Sequence, residues 1–171
     1  MEPVICPEKQ IILMGMSFYG DPFDTRAGWD EENHIGRLWK RFSAFLSRHP
    51  EVLELENQPD AAYEVHIYNP ETTEKGLFEV FVGMEIRLSD VERIPAELSI
   101  KTLPLTEYAV FTFKGEQISS DWEKLIQDWL TSAGYHSPHM YNFQYYDARF
   151  KGLDNLADSV LDVYVPIQKA G

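Results

Sequence analysis

Two stretches decide the fold: residues 77–86, LFEVFVGMEI, and residues 160–169, VLDVYVPIQK. Setting Phe78 against Leu161, an offset of 83 residues, also brings Glu79 onto Asp162 and Val80 onto Val163. Both stretches alternate in the two-residue period of a strand, because successive side chains of an extended chain leave on opposite faces. Upstream of each lies a second short strand, residues 63–68 (YEVHIY) and 143–150 (FQYYDARF), at an offset of 80. A helix precedes each pair. Residues 31–47 place Ile35, Leu38, Trp39, Phe42, Phe45 and Leu46 on one stripe, and His49-Pro50 ends it. The second helix starts at the capping box Ser120-Asp-Trp-Glu123, carries Trp122, Leu125, Ile126, Trp129 and Leu130 on one face, and stops at Gly134. Each half opens with a strand, residues 10–18 and 98–113, the latter interrupted by Pro104, which has no N–H to give a ladder.

The order strand, helix, strand, strand therefore occurs twice, over about residues 8–90 and 96–169, and predicts one domain spanning residues 1–171 whose halves meet near residues 87–97. A helix with a single apolar stripe must bury it on a sheet. The expected class is α+β: an antiparallel sheet system with both helices on one face and a concave groove on the other.

Alternation then assigns faces. Phe78, Val80, Val82, Met84 and Ile86 go to the helices, as do Leu161, Val163, Val165 and Ile167, leaving Glu79, Phe81, Glu85, Asp162 and Tyr164 on the far side. In the other two strands the more apolar sets, Tyr63, Val65 and Ile67 and then Phe143 and Tyr145, are assigned to the helices. Glu64, His66, Tyr68, Gln144 and Tyr146 fall on the far side. Met14, Met16 and Tyr108 join them from the opening strands. Aromatic rings with one or two partly desolvated carboxylates suit planar, hydrophobic, often cationic organic molecules. The same mixture also occurs on half-solvated sheet faces and in dimer interfaces.

Composition narrows the function classes. Hydrophobic residues make up 44% and charged residues 25%, which is globular usage and predicts a folded soluble protein. Fifteen basic against 28 acidic residues give a net charge of −13, which repels a phosphate backbone, so no nucleic-acid partner is expected. Cys6 is the one cysteine and cannot form an internal disulfide; the start lacks a basic segment followed by an apolar run, and no stretch approaches the roughly 18 apolar residues of a membrane span. No membrane association and a cytoplasmic location are expected. Cys6, between Ile5 and Pro7 with no base nearby in sequence, is a poor nucleophile candidate. His136 and His139 flank Pro138 irregularly and His34, His49 and His66 are scattered, so no metal site is expected. No phosphate loop, dinucleotide fingerprint or nucleophile elbow occurs, and no cofactor is expected. Asp30-Glu31-Glu32 reads as charge complementing a helix N-terminus.

Five segments in order, TEKGLFEVFVGMEI (73–86), YAVFTFKG (108–115), WEKLIQDWLTSAGY (122–135), YDARFKG (146–152) and LDVYVPI (161–167), resemble the GyrI-like family, the AraC-type effector-binding domain found as the ligand-binding half of multidrug-sensing regulators. The resemblance implies two pseudo-symmetric units forming a groove for hydrophobic, often cationic drugs and dyes. Combined with the alternation, it makes Met14, Met16, Glu64, Tyr68, Phe81, Tyr108, Gln144, Tyr146 and Tyr164 the candidate ligand-binding set. Many members carry a cation-recognising glutamate two residues before the tyrosine of the YDARF-like motif, where this chain has Gln144. An amide accepts a hydrogen bond but cannot neutralise a cation. Glu64, at the equivalent position of the first half, is the expected substitute. A subset of the family hydrolyses electrophilic cyclopropane-bearing natural products, which makes Glu64 a candidate base and Tyr146 a candidate stabiliser of developing charge in an alternative reading. Regulators of the family add a helix-turn-helix segment. The two repeats are expected to use up this chain, so ligand sequestration, detoxification of xenobiotics or protein binding remains as the function.

Overall fold

The structure, a computed structural model, describes residues 1–171. Its elements in chain order are β1 (Val4–Gly20), α1 (His34–Arg48), β2 (Ala62–Ile67), the short α2 (Pro70–Lys75), β3 (Phe78–Glu85), β4 (Ser99–Lys114), α3 (Trp122–Ala133), β5 (Tyr135–His136), β6 (Tyr141–Tyr146) and β7 (Val160–Lys169). The two strand-helix-strand-strand units are present, with every pairing antiparallel.

Both opening strands run longer than their sequence suggests. β4 continues through Pro104 because its pairing with β1 changes register there, between Ile11↔Leu103 and Lys9↔Thr106. The missing N–H thus falls where the ladder is already irregular. β1 and β3 approach closely at the paired Gly15 and Gly83; a Cβ on Gly15 would lie 1.9 Å from the Val82 carbonyl oxygen, so only glycine fits.

The strands follow the order β4-β1-β3-β2-β6-β7, and β7 pairs back onto β4 from Glu107↔Ile167 to Lys114↔Val160. Six strands therefore close into a ring. Its interior is filled from every strand: Ile11 and Leu13, Tyr63 and Val65, Phe81, Tyr108 and Val110, Phe143, and the partly buried Tyr164. On the outside, Leu38, Phe42 and Phe45 of α1 pack on Ile12, Met14, Val80, Val82 and Met84. Likewise Trp122, Ile126 and Leu130 of α3 pack on Phe111, Phe113, Leu161 and Val163. Burying such side chains contributes roughly 1.5–3 kcal/mol each before entropy is counted.

The assignments for β3 and β7 hold, but those for β2 and β6 reverse. Glu64 pairs with Val82, His66 with Val80 and Gln144 with Val163, and directly opposed residues share a face. Glu64, His66, Gln144 and Tyr146 therefore point to the helix side, while Tyr63, Val65 and Phe143 point into the ring. The cause is that both faces of these strands are enclosed. The more apolar set fills the sealed ring interior, and the more polar set borders the space between the helices.

Helix boundaries shift for local reasons. α1 begins at His34 because the buried Asn33 caps it, its Oδ1 accepting from Gly36 N–H at 2.9 Å while its Nδ2 donates to Gly28 O at 2.8 Å. At α3 the cap is Asp121, accepting from Lys124 N–H at 3.4 Å, rather than Ser120, whose hydroxyl donates back to Gln117 O. Gly134 ends the helix in the left-handed conformation, φ 73°.

Candidate ligand cavity

α1 and α3 each cover their own half of the ring, so the outer face of β2 and β6 between them is left without a helix. A cavity of about 900 Å³ occupies this space, roofed by the β1–α1 loop through Phe23, Gly28 and Trp29. It lies on the helix side of the sheet, not on the far face where the groove was expected, for the same reason that β2 and β6 reverse.

Glu64 forms its floor, with Gln144 directly across the β2–β6 ladder. Glu64 is 4% exposed. Burying a charge in this way requires partners. The Trp39 indole N–H donates to Oε1 at 2.7 Å, and His66 Nε2 lies 2.7 Å from Oε2. Two aromatic walls rise from this floor. In one, Trp39 meets Tyr146 edge-on at 5.6 Å between ring centres, Tyr146 meets Phe150 at 4.8 Å, and Trp29 closes over Phe150 at 6.5 Å. In the other, His66, Tyr68 and Phe78 meet with Phe78 5.4 Å from each of the first two.

Burial raises the Tyr146 hydroxyl well above its usual range, with the Glu64 charge adding to the effect, and pushes Tyr68 up to about 12. Both phenols stay protonated and neutral at physiological pH. Tyr146 spends its proton on Gln144 Oε1, which orients the amide. The floor charge therefore comes from Glu64 and not from a phenolate. Asp30, Glu31 and Glu123 add carboxylates around the cavity, while Lys40 is tied to Glu32 at 2.5 Å.

Of the residues singled out from the sequence, Glu64, Tyr68, Gln144 and Tyr146 line the cavity together. Phe81, Tyr108 and Tyr164 lie in or against the ring interior, where Tyr108 shares a hydrogen bond of 2.7 Å with Tyr141. Met14 belongs to the core under α1 and Met16 packs beside it, away from the cavity. Trp39, Trp122, His66, Phe78, Phe150, Trp29 and Phe23 line it without having been singled out as ligand contacts. Trp39 carried a signal in retrospect: it sits at the edge of the α1 stripe, and an indole with an N–H suits a boundary between core and polar site.

The model of the GyrI-like small molecule binding domain matches residues 1–168. The chain belongs to the GyrI-like family. Among curated proteins, the transcriptional regulator BrlR of Pseudomonas aeruginosa is 30% identical over 159 residues, which cover 91% of this chain and 51% of BrlR. This GyrI-like chain thus spans about half the length of that relative. Among solved structures, SAV2435 bound to tetraphenylphosphonium aligns with a TM-score of 0.67 at 15% identity, covering 98% of this chain and 94% of the other. A hydrolase encoded by lin2189 from Listeria innocua aligns with a TM-score of 0.53 at 8% identity, covering 98% and 92%. At these identities the two structures share the fold with this GyrI-like chain. No helix is long and apolar enough to cross a membrane.

Proposed function

We propose that the cavity captures hydrophobic, aromatic organic molecules, cations among them, for sequestration or detoxification of xenobiotics. The observation that carries this reading is one buried carboxylate, Glu64, at the floor of an aromatic-walled space of about 900 Å³. That volume suits a drug-sized ligand. Aromatic faces attract organic cations, and a single desolvated carboxylate supplies the counter-charge. The net charge of −13 favours cations over nucleic acid. The solved SAV2435 complex supports the reading by likeness of fold, since its ligand is a bulky aromatic cation.

The test is titration with tetraphenylphosphonium, followed by the fluorescence of Trp29, Trp39 and Trp122, all of which line the cavity. Tyr146→Ala, which removes a ring that touches both Trp39 and Phe150, is expected to weaken binding by about 1–3 kcal/mol with the fold intact, some thermal stability being lost with the packing and the hydrogen bond to Gln144. An unaltered affinity would remove Tyr146 from the site. Absence of saturable quenching by any bulky aromatic compound would remove the binding reading itself.

Hydrolysis is the second reading, favoured by the Glu64–His66 contact of 2.7 Å, which holds a carboxylate as an oriented base for water. In it, the Tyr146 hydroxyl would turn from Gln144 Oε1 to donate to charge developing on the substrate. Incubation with an electrophilic cyclopropane compound, read by mass spectrometry, tests it. Multiple enzyme-dependent water additions support the reading, and none across a panel removes it.

A further inference from the structure

Glu64 already has a resident partner. His66 sits two residues along the same strand, so it faces the same cavity, and its Nε2 lies 2.7 Å from Glu64 Oε2 with 8% of the histidine exposed. Because a carboxylate only accepts, Nε2 carries the hydrogen in this contact. The contact survives in both states of the ring, but its charge does not. With neutral imidazole the pair carries one negative charge; with imidazolium it carries none. An organic cation drawn to Glu64 comes within a few ångströms of His66 and is repelled by the second state.

Resting on the reading that the cavity takes organic cations at Glu64, we infer that His66 is a specificity-determining residue: its protonation decides whether the cavity favours an organic cation or a neutral aromatic molecule. Of the titratable groups around the cavity, His66 is the one in direct contact with Glu64. On its own strand it faces Glu64 and Tyr68; β3 opposes it with Phe78 and Val80, and β6 with the neutral Asn142 and Gln144. From α1 come Trp39, which does not titrate, and Lys40, held by Glu32; α3 contributes Glu123, and the loop before α1 contributes Asp30 and Glu31. Tyr68 and Tyr146 remain protonated throughout. Histidine is the one side-chain type among these whose charge ordinarily changes between about pH 5 and 8.

The sign follows from linkage. A cation beside His66 disfavours the imidazolium, so binding expels a proton, and by reciprocity raising the pH strengthens cation binding. A neutral ligand has no such coupling. This gives the cavity a charge it can withdraw, which is how one site serves two ligand classes.

The experiment measures tetraphenylphosphonium, whose charge is permanent, and triphenylphosphine oxide, a neutral aromatic of related shape, by calorimetry from about pH 5.5 to 8. Tetraphenylphosphonium is expected to bind about 10-fold more tightly at the upper end, with triphenylphosphine oxide unchanged within about twofold. Near the midpoint, the cation's binding heat should vary with the buffer's ionisation enthalpy, reporting proton release. His66→Gln retains a donor for Glu64 without the charge change and should flatten the cation profile. If that variant fails to fold, the pH titration of the His66 imidazole followed by NMR on the wild-type chain decides instead: a tetraphenylphosphonium-induced loss of its proton supports the role, and no change in its titration overturns it. Tight cation binding with a flat profile and no proton release overturns the role of His66 and leaves the cavity reading standing. So does a His66→Gln profile as steep as wild type, which would assign the coupling to Glu64 itself or to Asp30, Glu31 or Glu123. No cation binding at any pH overturns the cavity reading for cations, and this role with it.

Discussion

Glu64→Gln is expected to lower tetraphenylphosphonium affinity about 100-fold while leaving triphenylphosphine oxide within about twofold. A unit charge about 5 Å from a carboxylate gains roughly 3 kcal/mol at an effective dielectric near 20, which corresponds to that factor. The isosteric amide keeps an oxygen for the Trp39 indole and the shape of the floor. What it removes is the one negative charge buried at the floor of the cavity. Paired titrations of the two ligands check this. Equal losses for both would mean that Glu64 acts through cavity shape, and no loss for either would place the ligand elsewhere.

Phe143→Ala acts on the other face of the same ladder and should give the opposite pattern. Phe143 is fully buried inside the ring, stacked on Tyr164 at 4.6 Å and edge-on to Tyr108 at 5.4 Å, with Tyr63 at 5.5 Å. These neighbours come from β2, β4 and β7, so they cannot all collapse into the space vacated. The expected cost is about 4 kcal/mol of stability, a fall in Tm of roughly 10 °C for a chain of this length. Affinity of the folded fraction for tetraphenylphosphonium should change little. Urea unfolding and calorimetry check the result; a cost under about 1 kcal/mol would show that the ring interior is loosely packed. Together with Tyr146→Ala, this variant separates two faces that alternate along six residues of β6.

That alternation also shows what the sequence made legible. The repeat, both helix stripes, the end of α3 at Gly134 and the outward sets of β3 and β7 could be read because each has one apolar face and one that is not. β2 and β6 defeat the same rule. Tyr63 and Val65 are more apolar than Glu64 and His66, yet the set facing the helices is the polar one, because the apolar set has an even drier destination inside the ring. Only the register, with Val65 opposite Phe81, fixes the phase, and register depends on a β2–β3 connection whose geometry no periodicity encodes. Phe81, Tyr108 and Tyr164 went with the ligand face because nothing local distinguishes the inside of a closed ring from an open groove. His66 looked isolated along the chain. Its meaning comes from sharing a face with Glu64 under Trp39, a helix residue 25 positions earlier than Glu64.

Closure of the six strands has a consequence for how other macromolecules can approach. Each of β1, β2, β3, β4, β6 and β7 has a neighbour on both sides, leaving the two-residue β5 as the outermost strand of the sheet. A long open rim is what an extended peptide, or a misfolded copy, uses to continue a ladder. This molecule offers none. Strand addition by another protein is therefore closed off, and the segment best placed to sense the contents of the cavity is the β1–α1 loop, which contributes Phe23 and Trp29 to its lining and joins on to α1.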